Sequence, residues 1–336
     1  ALAAPFALGN ALRILGRNKL YLKNTNAIEE MAAVSTIVFD KTGTITRTNK
    51  STISYEGDAL TPIEKRILKC TLRNSNHPHS RSLYELLKAE NIDSLDSFEE
   101  FPGYGLHGRY KNHDMKIGSA AYLNQTKDPN GIQTSVYISS NDTFKGRFTF
   151  QNNYRRHISR LFKALEKDHE LVILTGDNES ERENLEKLLP KSTKLLFHQK
   201  PMDKLDYVAH HQHENATVMM VGDGLNDAGA LAQSNVGIAV SEDVNVFSPA
   251  CDGILEASRL SQLHSFIQFS KQTQTVIKLS FIGSFMYNIV GLYFAVTAQL
   301  TPVIAAVLMP LSSISIVAFT TLTTNYLGRK LNNFKT

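Results

Sequence analysis

The stretch VFDKTGTIT, residues 38–46, decides how this chain is read. An apolar Val38–Phe39 run leads to one carboxylate, Asp40, after which small hydroxyl and glycine residues turn the chain. That is the pattern of a nucleophile presented at the end of a buried strand. Phosphate-handling sites of this shape commonly carry a second Asp two residues later, as proton donor and then base. Here that position is Thr42, so the motif omits its own water-activating group.

Outward from this motif, the chain alternates between helical and strand patterns from about 147 to 258. RRHISRLFKALEKDHE (155–170) has helical spacing, LVILTGD (171–177) is an apolar strand ending in polar residues, and KLLF (194–197) and TVMMVGDG (217–224) are two more such strands. Strand–helix alternation predicts a parallel sheet covered on both faces, with its site beyond the carboxyl ends of the strands. Asp40, Asp177 and Asp223 all fall at such ends. Residues 34–48 and 147–258 then form one α/β domain, interrupted by residues 49–146, whose short alternating runs such as SVYIS (135–139) suggest an antiparallel sheet.

Composition bounds the function. The 336 residues are 42% hydrophobic and 20% charged, with a net charge of +4, too mild to argue for a nucleic-acid partner. Cys70 and Cys251 lie far apart with no CxxC spacing, which fits a reducing compartment. Residues 1–30 read as the end of a helix followed by a basic link, GRNKLYLKN (16–24). The first segment is apolar up to Arg13, begins without Met and has no basic stretch before it, so it reads as the cut end of a membrane helix in a larger protein. From Leu279 to Gly328 there is no charged residue, enough for two membrane spans within 272–328. Pro302 suits the start of the second helix. Lys271 and Lys278 precede the hairpin and Arg329 and Lys330 follow it, which places both ends on the cytoplasmic side.

The strand ends carry the chemistry. VGDGLNDAGAL (221–231) puts Asp223, Asn226 and Asp227 in a tight turn that opens a helix. A carboxylate nucleophile facing a phosphate needs charge neutralisation, which Mg²⁺ supplies when held by a few oxygens. Asp40 and Asp223 are the natural pair, with the Thr42 carbonyl as a further ligand and Asp227 binding directly or from behind. Thr175, Gly176 and Asp177 offer a hydroxyl and loop amides for phosphate oxygens, and Lys204 in KPMDK (200–204) is a cation able to stabilise a transferring phosphoryl group.

DKTGTIT, TGDN, PMDK and GDGLNDAGALAQSNVGIAV resemble the signature set of P-type ATPases. The resemblance implies an α/β haloacid-dehalogenase-like phosphorylation domain with an inserted α+β nucleotide-binding domain and a C-terminal transmembrane helical hairpin. It implies that ATP, with Mg²⁺, phosphorylates Asp40 and that the aspartyl phosphate drives ion movement. Thr42 and Thr44 would support the phosphate and Mg²⁺ site, Lys204 would contact the phosphoryl group, and Asp223, with Asn226 and Asp227 beside it, would hold Mg²⁺. NHPHS (76–80) and PGYGL (102–106) resemble the nucleotide motifs of the heavy-metal, type IB, branch, so His77 would orient the adenine and Gly103 and Gly105 would let the nucleotide approach the backbone. Three positions depart from that branch: Leu72 stands where a Glu is usual, Gly118-Ser119 where Gly-Asn is usual, and Asn152 where an Asp often precedes the arginine that here is Arg155.

The hairpin points to the ion. It has no Asp, Glu, Lys, Arg or His, whereas a hard divalent cation in mid-membrane wants carboxylates or several oxygens. Met309, Ser312 and Ser313 share a helix face at i, i+3, i+4, and with Tyr287 and Asn288 they resemble the paired motifs of the copper-transporting branch. On residues alone, a space-filling Met and close-packing serines explain the pattern as well. The resemblance implies Cu⁺ or Ag⁺ as the transported ion, a copper chaperone as donor, and a bacterial plasma membrane as the location. It also implies that a Cys-Pro-Cys motif and an actuator domain lie upstream of Ala1, so that this segment by itself does not transport. The alternatives are a pump for Zn²⁺ or Cd²⁺, against which the uncharged hairpin argues, a membrane-anchored phosphatase of the haloacid-dehalogenase type, against which Thr42 argues, and a non-catalytic scaffold, against which the intact Asp40, Lys204 and Asp223 argue.

Overall fold

A computed structural model of the chain describes residues 3–47, 52–88, 94–125, 134–151, 153–177, 179–224, 226–242 and 250–332. Asn152, Asn178 of the TGDN stretch and Leu225 of the GDGLND stretch lie outside the described residues. The chain forms two compact units, one of Ala1–Thr48, Tyr154–Asn178 and Glu186–Thr336, the other of Asn49–Asn153 and Glu179–Leu185.

Helix α1 (Ala3–Arg17) buries Ala7, Leu8, Ala11 and Leu15, an i, i+4 stripe. The basic link that follows is more than a connection. Leu20–Leu22 form strand β1, with Leu20 fully buried. Helix α2 (Asn26–Ala33) leads to strand β2 (Thr36–Asp40), in which all five residues are buried.

The chain then builds the second unit. It consists of β3 (Thr52–Gly57), α3 (Pro62–Arg73), α4 (Pro78–Leu86), β4 (Ser97–Phe101), β5 (Gly105–Tyr110), β6 (His113–Gly118), β7 (Thr134–Ser140) and β8 (Thr143–Gln151). The strands make an antiparallel sheet in the order β3-β8-β7-β6-β5-β4. Its core joins Ile67, Leu68 and Leu72 of α3 and Leu83 of α4 to Leu106, Ile117, Ile138, Phe148 and Phe150 of the strands. The sheet continues past the boundary at 146 read from the sequence, because β8 keeps its alternation and pairs Phe148 with Tyr55 and Phe150 with Ile53. Thr61 caps α3 in a reciprocal box with Glu64, satisfying two backbone N–H groups.

Back in the first unit follow α5 (Ile158–Leu165), β9 (Glu170–Leu174), β10 (Lys194–Leu196), α7 (Pro201–His213), β11 (Val218–Gly222), α8 (Ala228–Gln233), β12 (Val236–Ser241) and β13 (Gly253–Glu256), while α6 (Arg182–Leu188), between β9 and β10, begins in the second unit and ends in the first. The sheet order is β1-β13-β12-β11-β2-β9-β10, parallel throughout except for β1, which runs antiparallel to β13 at the edge. From β2 the chain steps through β9 to β10 on one side, then crosses to β11, β12 and β13 on the other. The order therefore reverses between β2 and β11, the place where open α/β sheets hold ligands. The buried, continuous apolar runs of β2, β9 and β11 follow from burial on both sheet faces.

Helices α9 (Leu263–Val296) and α10 (Pro302–Asn332) close the unit. The first half of α9 begins before residue 272 and is packed inside the unit, with Phe266, Ile267, Phe269, Ser270, Thr273, Val276 and Ile277 all buried. From Leu279 onward its apolar side chains are exposed, among them Phe281, Ile282, Phe285 and Leu292. Residues Ala257–Val296 and Val303–Leu331 are each long and apolar enough to cross a membrane. Helix α1 packs against both. Asn10 Nδ2 donates to Asn325 Oδ1 at 3.1 Å, and Arg13 Nη2 donates to the same oxygen at 3.0 Å.

Candidate active site

Asp40 closes β2 with its side chain only 6% exposed. Strand β11, paired alongside it, ends at Gly222 and hands the chain to Asp223 and Asp227. A Cβ at Gly222 would lie 2.8 Å from Asp227 Oδ2, so glycine is what lets the Asp227 carboxylate lie against the strand end. Helix α7 delivers Lys204 in its first turn, buried. Lys204 Nζ lies 2.5 Å from Asp40 Oδ1 and 2.7 Å from Asp227 Oδ1.

One ammonium thus faces two buried carboxylates. Burial and the charge of Asp227 hold the Asp40 carboxyl up at about 7, with Asp223 adding to the effect, although Lys204 pulls it down. Burial likewise raises Asp227 against the pull of Lys204. Burial works against the charge of Lys204, but Asp40 and Asp227 keep its proton on and raise it above its ordinary value. Asp227 Oδ2 is buried without a hydrogen-bond partner. Excess negative charge and an orphaned carboxylate oxygen are what a hard divalent cation relieves, so this oxygen set fits Mg²⁺.

The loop after Asp40 is wound tightly. Gly43 takes φ 75°, the left-handed region. Thr46 N–H and Oγ1 both donate to the Lys41 carbonyl, at 3.1 and 3.2 Å, and Gly43 N–H donates to Thr46 Oγ1. Two residues not assigned a role from the sequence hold this loop. Arg155, buried, donates from Nε to the Thr44 carbonyl at 2.6 Å and from Nη2 to the Gly43 carbonyl at 2.9 Å, and pairs through Nη1 with Glu242 at 2.7 Å. Lys41, with its side chain 2% exposed, pairs through Nζ with Asp177 Oδ2 at 2.5 Å. The carbonyl of Thr42 accepts none of these bonds, and its side chain is exposed. Thr44 Oγ1 is buried without a partner.

Asp40, Lys204, Asp227 and Asp223 are therefore brought together, and Asp177 is tied to the same loop through Lys41. Thr175 is buried, and its Oγ1 accepts from the Asp177 N–H at 3.2 Å. Gly176 has room for a Cβ, the nearest atom being the Gln199 carbonyl at 3.4 Å, so its steric surroundings do not demand glycine. Asn226 is exposed, and its N–H donates to Asp223 Oδ1 at 3.3 Å.

In the second unit, His77 caps α4, and its Nδ1 accepts from the His79 N–H at 3.3 Å. An accepting Nδ1 puts the proton on Nε2, so the exposed ring offers a donor. His77 N–H donates to Ser75 Oγ, which donates in turn to Glu100 Oε1 at 2.9 Å, a contact the sequence did not suggest. Gly103 lies in a turn at φ 78° with open space around it. Gly105 and Gly118 pair across β5 and β6, and a Cβ at either would meet the opposite backbone at 2.3 Å. Close strand approach accounts for these two glycines without a ligand. Leu72 is fully buried in the core, which explains an apolar residue in place of a carboxylate.

In the helical hairpin, Tyr287 Oη donates to the Leu308 carbonyl at 2.9 Å, bringing Tyr287 beside the start of the Met309–Ser313 segment. Asn288 and Ser313 are exposed, Ser312 is half-buried and Met309 is 76% exposed. Among the described residues, no side-chain hydrogen bond joins Asn288, Met309, Ser312 and Ser313.

The chain is 28% identical over 333 residues to a copper-exporting P-type ATPase of Staphylococcus saprophyticus, covering 94% of this chain and 41% of that protein. It is 27% identical to the protein of the same name in Staphylococcus aureus (strain JH9), again covering 94% and 41%. The chain thus spans about two fifths of the length of these relatives. Its fold is similar to that of a zinc-transporting PIB-type ATPase in an E2.Pi state, with a TM-score of 0.76 at 21% identity, covering 95% of this chain and 55% of the other. It is also similar to the catalytic domain of a CPx-ATPase, with a TM-score of 0.55 at 22% identity, covering 76% and 98%. The family model of the haloacid dehalogenase-like hydrolases matches residues 34–235, from the approach to β2 through the end of α8, and the chain belongs to that family.

Proposed function

We propose that this chain carries the phosphorylation and nucleotide-binding parts of an ATP-driven pump for a soft monovalent metal ion, Cu⁺ or Ag⁺, that works through an aspartyl phosphate at Asp40. The observation that carries the reading is the buried Asp40 carboxylate held by Lys204 beside Asp227 at the switch point of the sheet. In the proposed step a carboxylate oxygen of Asp40 attacks the γ-phosphorus of ATP, the bond to the bridging oxygen breaks, and ADP leaves. Lys204 meets the charge on the transferring oxygens, and the unpartnered Thr44 hydroxyl offers them a donor. Asp40, Asp223, Asp227 and the Thr42 carbonyl are the oxygens that would hold Mg²⁺, which supplies charge neutralisation to the phosphoryl group. Thr42 brings no carboxylate to the position where a phosphatase keeps its base, so the acyl phosphate is long-lived until a water-activating group reaches it. The second unit, with its outward His77 donor and the open turn at Gly103, binds the nucleotide.

The copper assignment rests on relatives named as copper exporters along 94% of this chain and on the uncharged hairpin with Tyr287, Asn288, Met309, Ser312 and Ser313. A soft cation suits thioether and neutral oxygen donors better than a hard one does. The basic residues flanking the hairpin support a bacterial plasma-membrane location with the two units on the cytoplasmic side, and a copper chaperone is the expected donor. The test is labelling of the parent protein with γ-phosphate-labelled ATP in the presence of Cu⁺. An acid-stable, hydroxylamine-sensitive adduct is expected, lost in Asp40→Asn. Labelling that survives this substitution overturns the nucleophile, and activity that responds to Zn²⁺ but not to Cu⁺ overturns the ion.

A further inference from the structure

Helix α7 begins with Lys204 in its first turn and ends in HHQHE, residues 210–214. There the side chains of His210, His211 and Glu214 converge, each offering a ligand atom, with the three atoms within 4.8 Å of one another. His210 Nδ1 lies 3.9 Å from Glu214 Oε2. We propose that these three residues form a surface site for a borderline divalent cation of the Zn²⁺ type, separate from the acidic cluster at Asp40 and from the helical hairpin.

Four observations carry this. First, His211 is already set as a ligand. Its Nδ1 lies 3.0 Å from the Tyr207 carbonyl, which can only accept, so Nδ1 carries the proton and Nε2 keeps its lone pair. This is the outer hydrogen bond that metal-binding histidines commonly make. The ring is also stacked on Tyr207 at 4.2 Å, which fixes its plane. Second, the backbone beneath the site is fixed. Glu214 N–H donates to the His210 and His211 carbonyls, and Asn215 ends the turn at φ 64°. Gln212, between the histidines, donates to the Gln233 carbonyl at 2.9 Å and to Asn235 Oδ1 at 3.0 Å, pinning the last turn to the chain after α8. Third, the other two ligands are free to close in. The side chains of His210 and Glu214 are 71% and 62% exposed, so rotamer changes can draw them onto an ion with metal–ligand bonds of about 2 Å. Fourth, the site sits at a helix C-terminus, where the macrodipole favours a cation.

The donor set selects the ion. Two imidazoles and one carboxylate suit Zn²⁺, Ni²⁺ or Cu²⁺. The absence of a thiolate or thioether argues against Cu⁺, and a set dominated by nitrogen argues against Mg²⁺. With three protein ligands at an exposed turn, water completes the coordination. Binding ties residue 210 to residue 214 across the last turn of the helix that delivers Lys204.

The test uses Zn²⁺ as the probe on the full chain in detergent, followed by calorimetry in excess Mg²⁺ so that the acidic cluster is occupied. One Zn²⁺ per chain is expected to bind. The double substitution His210→Asn with His211→Asn is expected to weaken it by more than about tenfold, and Glu214→Gln, which alters only an exposed side chain, by about tenfold. His213→Asn, next to the site but outside the converging set, leaves binding unchanged. Cu²⁺ added instead should show an electron paramagnetic resonance spectrum with coupling to two imidazole nitrogens, lost in the double variant. Unchanged Zn²⁺ affinity in both the double variant and Glu214→Gln overturns the proposal. So does a loss in His213→Asn as large as in the double variant, or suppression of all binding by Mg²⁺.

Discussion

Arg155→Ala isolates what holds the loop that follows Asp40. The guanidinium makes two charge-assisted bonds to buried carbonyls, those of Gly43 and Thr44, and one to Glu242, whose side chain is 60% exposed. An exposed ion pair contributes about 0–1 kcal/mol, whereas each bond from a charged donor to a buried acceptor contributes about 1.5–3 kcal/mol. Removing the side chain therefore costs the loop about 3–7 kcal/mol. Lysine can place one point charge but cannot fork to two carbonyls, so Arg155→Lys should retain about half of that. Glu242→Gln should cost less than about 1 kcal/mol. Hydrogen exchange of a peptide spanning residues 38–47 reads this directly, since the Thr46 and Gly43 amides are bonded only while the loop is wound. Opening that is easier by 3 kcal/mol accelerates exchange by about a hundredfold. The rate of acyl-phosphate formation from ATP should fall with it, because Asp40 and its loop move together. If exchange in Arg155→Ala stays within threefold of the parent and phosphorylation is unchanged, the loop is held by something other than this arginine. If Glu242→Gln does as much damage as Arg155→Ala, the ion pair matters more than the carbonyl bonds.

Lys204→Met leaves Asp40 and Asp227 buried without a counter-charge. Breaking a buried pair from one side costs about 3–5 kcal/mol, and the Asp40 carboxyl should rise further above about 7, so that phosphorylation is lost near neutral pH and the acid limb of its pH profile moves upward; a profile that keeps its position contradicts this. Glu64, with its side chain 7% exposed, is pushed up by burial but brought down to about 2 by the Thr61 backbone and hydroxyl, Lys145 and Ser140, from an ordinary 4.5. A depressed carboxyl stabilises the fold above its unfolded value and loses that contribution as pH falls through the folded one. At about 1.4 kcal/mol per pH unit the amount is about 3 kcal/mol, so Glu64→Gln should be weaker by that much at pH 7 and converge with the parent as pH approaches 2. Protection of the α3 amides against hydrogen exchange measures it, and a gap that does not depend on pH refutes it.

What was legible in the sequence follows burial geometry. Strands β2, β9 and β11 are covered on both faces and read as unbroken apolar runs ending in Asp40, Asp177 and Asp223. Three-residue β1 was hidden in a basic link, because it needs β13 to exist and carries no period of its own. Lys41 gives no signal in the sequence, because a lysine by itself reads as solvated. Only the fold shows that it is buried and that it reaches Asp177. Arg155 was visible only as a landmark, since a bond to a carbonyl more than a hundred residues away leaves no local pattern. At Gly105 and Gly118 a motif suggests a ligand, and strand pairing supplies a structural reason for glycine beside it. The Met309 segment stays a sequence argument, because Met309 and Ser313 stand exposed and no side-chain hydrogen bond joins them to Ser312 or Asn288 among the described residues.

The fold also offers a physical route from Asp40, the proposed phosphorylation site, to the apolar hairpin. Helix α2 leads into β2, which ends at Asp40, and α2 packs on α9, whose first half is buried. Two polar contacts brace the same half from the turn before β9. Gln268 Nε2 donates to Asp168 Oδ2 at 3.1 Å, and Lys271 Nζ lies 3.3 Å from His169 Nε2. Burial is the larger influence on His169 and lowers its proton affinity, with Lys271 adding to it, so near neutral pH the ring accepts from Lys271. Helix α9 is 34 residues long, about 51 Å in all, and runs from this seat into its exposed apolar half without an interruption. A helix bonded along its whole length does not shorten, so a tilt imposed on its first half reaches the second. On the proposed reading, Thr42 supplies no base, so an acyl phosphate at Asp40 outlasts immediate hydrolysis and a displacement there has time to travel along this path. The slow chemistry of the loop and the stiffness of α9 are then two requirements of one proposed pump, and neither serves a simple phosphatase.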